Sequence, residues 1–205
     1  MKDRTLDYYN THPELFVSDT VDANMSAAQN IFLAAVSQEN RPLNTIRLLD
    51  YGCGSGRDTK RFLELGYQVE ALDGSEELVK IASEYTGIPV RLQLFQELED
   101  VNRFDGIWAC ASILHVEKGE LSDIFRRVSR ALKNNGVFYS TFKYGTFCGE
   151  RNGRYYTDLN EEEFTAICKT VPEFRIEKTW ISNDVRPGRS EEKWLNVIVR
   201  KVTDE

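Results

Sequence analysis

Leu48-Leu49-Asp50-Tyr51-Gly52-Cys53-Gly54-Ser55-Gly56-Arg57-Asp58 is the stretch that decides the fold class. An apolar run enters three glycines at alternate positions, and a helix-forming segment follows. Glycine permits positive φ and lets a ligand approach the backbone closely. The next helix N-terminus offers free N–H groups to an anion, either a diphosphate or an amino-acid carboxylate. Dinucleotide loops read G-x-G-x-x-G. This loop reads G-x-G-x-G, with Asp50 two residues before the first glycine. A carboxylate beside the cradle repels a diphosphate and suits a ligand that carries a cation. S-adenosylmethionine, with its ammonium and sulfonium, fits that description; NAD does not.

Working outward, a second acid closes the next apolar run, Val69-Glu70-Ala71-Leu72-Asp73-Gly74-Ser75, 23 positions after Asp50. A doubly wound fold places there the carboxylate that accepts from both ribose hydroxyls. The remaining pattern alternates strand and helix, which implies a largely parallel sheet covered on both faces. Strands are predicted at 46–50, 67–73, 90–95, 104–110 and 137–142. A helix follows the glycine loop and ends at Gly66. Another begins near Ser75 with Glu76 and Glu77 in its first turn. A third spans 121–133, with Leu121, Ile124, Phe125, Val128 and Leu132 on one face. Asn160 with Glu163 opens a further helix that must end by Pro172. Segments 174–182 and 194–201 read as a closing antiparallel pair joined by a polar connection. Ahead of the first strand, Met25, Ala28, Phe32, Ala35 and Val36 predict a helix over 25–37, and a short helix near 5–10 should stop before Pro13.

The bulk composition agrees with one domain. The chain has 205 residues, 41% hydrophobic and 29% charged, with no repeat or low-complexity tract. A net charge of −7 argues against broad binding to a nucleic-acid backbone. Four cysteines without a CxxC pair and two separate histidines give no metal pattern. No apolar run approaches the ~20 residues of a membrane helix, and the N-terminus lacks the apolar stretch of a secretion signal, so a cytoplasmic location is expected.

At these residues the chain resembles the class I S-adenosylmethionine-dependent methyltransferases. LLDYGCGSGRD, VEALDGSEELV, RFDGIWACASILHV and LKNNGVFYSTFKYG carry the likeness, over roughly residues 45–145. The run GCGSGRDTKRFLELGYQVEALD is similar to small bacterial methyltransferases of the tellurite-resistance type. The resemblance implies a Rossmann-like α/β fold: a seven-stranded, mostly parallel sheet in the order 3-2-1-4-5-7-6. Strand seven is antiparallel, and helices cover both faces. It implies one domain over 1–205, with a helical lid at 1–40, the cofactor core at 45–145, and a C-terminal helix and strand pair at 146–205. It implies that Asp50, Gly52, Cys53, Gly54 and Gly56 surround the methionine part of the cofactor. Asp73 then takes the ribose hydroxyls, with Gly74 near the adenine. Phe95, Gln96 and Glu97 lie at the adenine edge, and Ala111 lies beneath the sulfonium. One position departs from the pattern: many relatives have an Asp after strand three where this chain has Leu94.

Methyl transfer from a sulfonium needs alignment and exclusion of water more than acid–base chemistry. Tyr9 in the lid and His115 after strand four are the candidates for a catalytic role. Tyr8, His12, Phe16 and Met25 are further candidates to line the cleft. Arg186 and Arg189 flank a Pro-Gly turn in the 183–193 connection, and Lys143, Arg151 and Arg154 follow strand five. Such clustered cations in an acidic chain point to a small anionic acceptor. The sequence therefore reads as a methyltransferase of a small molecule. A non-catalytic S-adenosylmethionine-binding module and a tRNA or other nucleic-acid methyltransferase stand as alternatives. No motif specifies the oligomeric state.

Overall fold

The computed structural model describes residues 4–37 and 41–202. The ends of the predicted lid, residues 1–3 and 38–40, lie outside them. Three helices come first: α1 (Arg4–Thr11), α2 (Pro13–Thr20) and α3 (Ser26–Val36). The alternating core follows as β1 (Arg47–Tyr51), α4 (Arg57–Glu64), β2 (Gln68–Asp73), α5 (Glu76–Thr86), β3 (Arg91–Leu92), β4 (Phe104–Ala109), α6 (Leu121–Ala131) and β5 (Leu132–Lys143). A hairpin of β6 (Cys148–Arg151) and β7 (Arg154–Thr157) precedes α7 (Glu161–Cys168), β8 (Phe174–Asn183) and β9 (Lys193–Lys201).

The main sheet runs β3-β2-β1-β4-β5-β9-β8. Its first five strands pair in parallel, and β9 is antiparallel to both of its neighbours. This is the expected order, with β8 and β9 in the places of strands six and seven. The hairpin β6–β7 is an insertion outside the sheet, and the sequence reading missed it. Its signal was available in Glu150-Arg151-Asn152-Gly153-Arg154. Asn152 and Gly153 take φ of 50° and 79°, as a two-residue hairpin turn that follows strand twist requires.

Two other elements differ from expectation. Pro13 does not only end α1; it opens α2, because the first helical position needs no N–H and suits the fixed φ of proline. Strand three is cut to two residues because the chain turns at Phe95–Glu97, where the Glu97 carboxylate accepts from the Leu94 N–H at 2.9 Å. The helix starts behave as their residues dictate. Ser75 accepts from the Leu78 N–H and Asn160 from the Glu163 N–H.

Apolar layers cover both faces of the sheet. On one side Phe125, Phe138, Phe142, Phe164 and Phe174 pack between β5 and the helices α6 and α7. On the other, Phe32 and Phe62 enclose Trp108, which stacks on Tyr139 with centroids 4.0 Å apart. Gly106 lets α3 come this close: a Cβ there would lie 2.7 Å from the Phe32 ring. Thus α3 is a scaffold helix with its apolar face in the core, and only α1 and α2 reach over the loop end of the sheet. Among the described residues no helix is long and apolar enough to cross a membrane.

One buried carboxylate fastens α3 and α4 to the sheet. Asp58 accepts from Gln29 Nε2 at 2.7 Å, from Trp108 Nε1 at 2.9 Å and from Nε and Nη2 of Arg57. Burial alone would raise its pKa, but the Arg57 charge and these donors outweigh it and hold the group below the usual carboxylate range. Asp58→Ala leaves the Gln29 and Trp108 donors and a guanidinium without their acceptor. The expected cost is roughly 3–5 kcal/mol, read by urea unfolding against the parent protein.

Candidate active site

The loop between β1 and α4 curls back on the end of β2. Gly52 and Cys53 both donate their N–H to the Leu72 carbonyl, at 2.9 and 3.0 Å. Gly52, Gly54 and Gly56 take φ of 84°, 55° and 80°, a region costly for any side chain. Space is equally restrictive. A Cβ on Gly52 would stand 2.5 Å from the Ser112 Cβ, and one on Gly54 would stand 2.9 Å from the Phe16 ring. The backbone is therefore bare where the cleft opens above it.

Asp73 faces this cleft from the end of β2. Its two oxygens accept from the Gly54 and Ser75 N–H groups, each at 2.9 Å. Burial raises its pKa and these amides oppose the rise. Asp50 lies deeper. Its carboxylate accepts from the Thr59 hydroxyl at 2.6 Å, and burial together with the nearby Asp58 charge raises its pKa well above the usual range.

A cavity of about 730 Å³ opens along the loop end of β1, β2 and β4. Gly52, Gly54, Asp73, Gly74, Phe95, Gln96 and Ala111 border it, together with Tyr9 and His115. A smaller cavity of about 150 Å³ lies beside it, bordered by Asp50, Cys53, Arg186 and Arg189 among others. Tyr9, Phe16, Gly52, Gly54, Ala111 and His115 border both and form the wall between them. Two expected residues are elsewhere. Gly56 packs against Thr86 and Ala82 on α5, and Glu97 folds back on its own turn. Leu94 borders the larger cavity, and the Gln96 amide turns to Glu120 at 3.2 Å.

Tyr9 and His115, 106 residues apart in sequence, meet in that wall. The Tyr9 hydroxyl and His115 Nε2 are 2.8 Å apart. His115 Nδ1 lies 2.6 Å from the Tyr155 carbonyl, which can only accept. The proton therefore sits on Nδ1, and Nε2 accepts from the Tyr9 O–H. Burial pushes the His115 ring down to about 4, so it stays neutral at neutral pH. Burial likewise raises the Tyr9 phenol, and the Arg154 charge opposes it.

The lid and the inserted hairpin hold this pair in place. Tyr155 donates its N–H to the Thr5 hydroxyl at 3.0 Å, and Arg4 pairs with Glu150. The residues that sequence reasoning missed as site residues, Tyr155 and Tyr156, come from this hairpin, whose Asn-Gly turn was the readable cue. Arg186 and Arg189 do reach the smaller cavity, but each is already in an ion pair. Arg186 forks onto Asp184 at 2.9 and 2.6 Å, and Arg189 meets Glu192 at 2.6 Å.

A lowered histidine pKa carries a definite sign. The unfolded ring takes up a proton near 6.5 and the folded ring only near 4, so stability attributable to His115 declines as pH drops between these values. Chemical unfolding at pH 7 and pH 5 is expected to show a smaller pH-dependent loss in His115→Gln than in the parent. Equal losses would place the ring in a solvent-like setting.

The chain is similar to known proteins in sequence and in fold. The methyltransferase domain family matches residues 48–136. YqeM of Bacillus subtilis, named as a candidate methyltransferase, is 31% identical over 109 residues, covering 47% of this chain and 44% of that protein. The ubiquinone biosynthesis O-methyltransferase of Pelagibacter ubique is 27% identical over 109 residues, covering 51% and 45%. The chain thus spans about half the length of the curated relatives it matches. In fold, the chain is similar to the 1,6-didemethyltoxoflavin-N1-methyltransferase of Burkholderia thailandensis. The TM-score is 0.73 at 23% identity, over 97% of this chain and 85% of that one. Residues 48–136 thus match the methyltransferase domain family, and the fold around them is that of the 1,6-didemethyltoxoflavin-N1-methyltransferase.

Proposed function

We propose that the whole chain acts as one domain that transfers a methyl group from S-adenosylmethionine to a small molecule. The observation that carries this reading is the pair of cavities sharing one wall: a large one over the glycine loop and a ring-sized one beyond Tyr9 and His115. A donor in one and an acceptor in the other would lie side by side at the residues the two cavities share.

The residues present fit the cofactor. Gly52 and Gly54 present bare backbone at the cleft, and the half-buried Asp73 carboxylate borders it with each oxygen held by one backbone amide and a lone pair to spare. In this reading Gly52, Gly54 and Ala111, which border both cavities, hold the methionine portion, Asp50 and Cys53 support the loop from the side of the smaller cavity, and Gly56 shapes the turn behind it. Asp73 takes the ribose hydroxyls, and Gly74, Phe95 and Gln96 flank the adenine. When bound, the cofactor supplies an electrophilic methyl on a good leaving group. The protein contributes alignment and exclusion of water, worth several kcal/mol through orientation alone. The Tyr9 and Phe16 rings, edge to face at 5.0 Å, present aromatic surface that favours a cation nearby. For an acceptor that carries a proton, the Tyr9 oxygen can accept a hydrogen bond from it while the phenol proton stays directed to His115 Nε2.

Calorimetry with S-adenosylhomocysteine and a methyl-transfer screen with labelled cofactor test this. Asp73→Ala removes a charged acceptor of two hydroxyl donors and is expected to weaken S-adenosylhomocysteine about 100-fold. Tyr9→Phe should leave that affinity within about threefold and lower the transfer rate. A parent protein that binds no S-adenosylhomocysteine at millimolar concentration rules the reading out.

A further inference from the structure

The cations around the smaller cavity are of two sorts. Arg57 is clamped on Asp58, Arg186 on Asp184, and Lys143 and Arg189 both on Glu192. These charges are neutralised within the protein. Arg154, on β7, has no carboxylate partner among the described residues. The one polar side chain within reach is Tyr9, whose hydroxyl lies 3.5 Å from Nη1. Its Nε is buried and finds no hydrogen-bond acceptor among the described residues. The guanidinium instead lies 4.5 Å from the Tyr8 ring centroid, 5.5 Å from that of Tyr156 and 5.8 Å from that of Tyr9. Aromatic faces attract a cation but accept none of its N–H bonds in the plane of the fork.

A buried donor without an acceptor calls for an explanation, and a ligand that supplies the acceptor is one. Arg154 borders the smaller cavity. The planar guanidinium, whose terminal nitrogens meet only the Tyr9 hydroxyl among the described residues, matches the two oxygens of a carboxylate. The cavity, about 150 Å³, has the size that accommodates a single benzene ring. From these observations we infer that Arg154 is the anchor for a carboxylate on the methyl acceptor, a compact acid no larger than one ring with a short substituent. The inference deepens the methyltransferase reading and rests on it only for calling the bound acid an acceptor. Arg186 and Arg189 then serve to position Asp184, Glu192 and the cavity rim instead of binding the acid themselves.

The test titrates acetate and benzoate against the isosteric acetamide and benzamide, with S-adenosylhomocysteine saturating, using calorimetry and Trp194 fluorescence. In the parent the carboxylates should bind at least tenfold more tightly than their amides. Arg154→Met should abolish that preference, and Arg154→Lys should keep part of it. Arg154→Gln gives the same reading should the Met variant not fold, as judged by circular dichroism. Absence of a carboxylate preference in the parent overturns the inference. So does a preference that survives Arg154→Met or disappears in Arg186→Met alone. S-adenosylhomocysteine affinity, measured in every variant, separates the two ideas. Cofactor binding without carboxylate preference sinks the anchor only. Absence of cofactor binding sinks the methyltransferase reading, and the acids titrated alone still judge Arg154.

Discussion

The Gly54 amide donates to the Asp73 carboxylate, and that bond depends on the geometry around it. For it to form, β1 and β2 must pair in parallel and end level, and the chain after Tyr51 must turn through left-handed backbone at Gly52 and Gly54. The same bond sets where each side of the cleft lies. On one side stand the bare loop amides, on the other a carboxylate already held by two backbone donors. The cleft is therefore shaped before any ligand arrives, which limits the ordering that binding would demand.

Around that rigid pair of strands the site is completed by segments far away in sequence. Tyr9 comes from the lid, His115 from the turn after β4, and the Tyr155 carbonyl from the inserted hairpin. Each orients the next: the carbonyl fixes the imidazole tautomer, and the imidazole fixes the direction of the phenol proton. The cost of burying these polar groups is offset because every one of them has a partner. Arg154, with its buried Nε left over, is the exception.

Much of this could be read from the chain. The loop LLDYGCGSGRD and the acid at Asp73 fix a doubly wound sheet, because only that topology brings a strand end, a glycine turn and a carboxylate one strand over to the same edge. The apolar spacing placed α3 and α6, and the capping residues Ser75 and Asn160 placed the starts of α5 and α7. The departures from expectation have local causes. Glu97 looks like an adenine contact until its carboxylate is seen to cap its own turn. Arg186 and Arg189 look like an anion trap because the sequence does not reveal that Asp184 and Glu192 return to meet them. The hairpin was hidden because its four-residue strands are too short to show a period, leaving only the Asn-Gly dipeptide as a sign.

Gly106 has an effect well away from its own position. By admitting Phe32 against β4 it roots α3 in the interior, so the lid helices α1 and α2 hang from a fixed post. The link from Val21 to Met25 is five residues long, and a fully extended chain of that length spans at most about 18 Å. Whatever swing α1 and α2 make is leashed by that link. Tyr9 and Phe16, carried on those helices, are thereby tethered to the end of the sheet where His115 and the glycine loop lie.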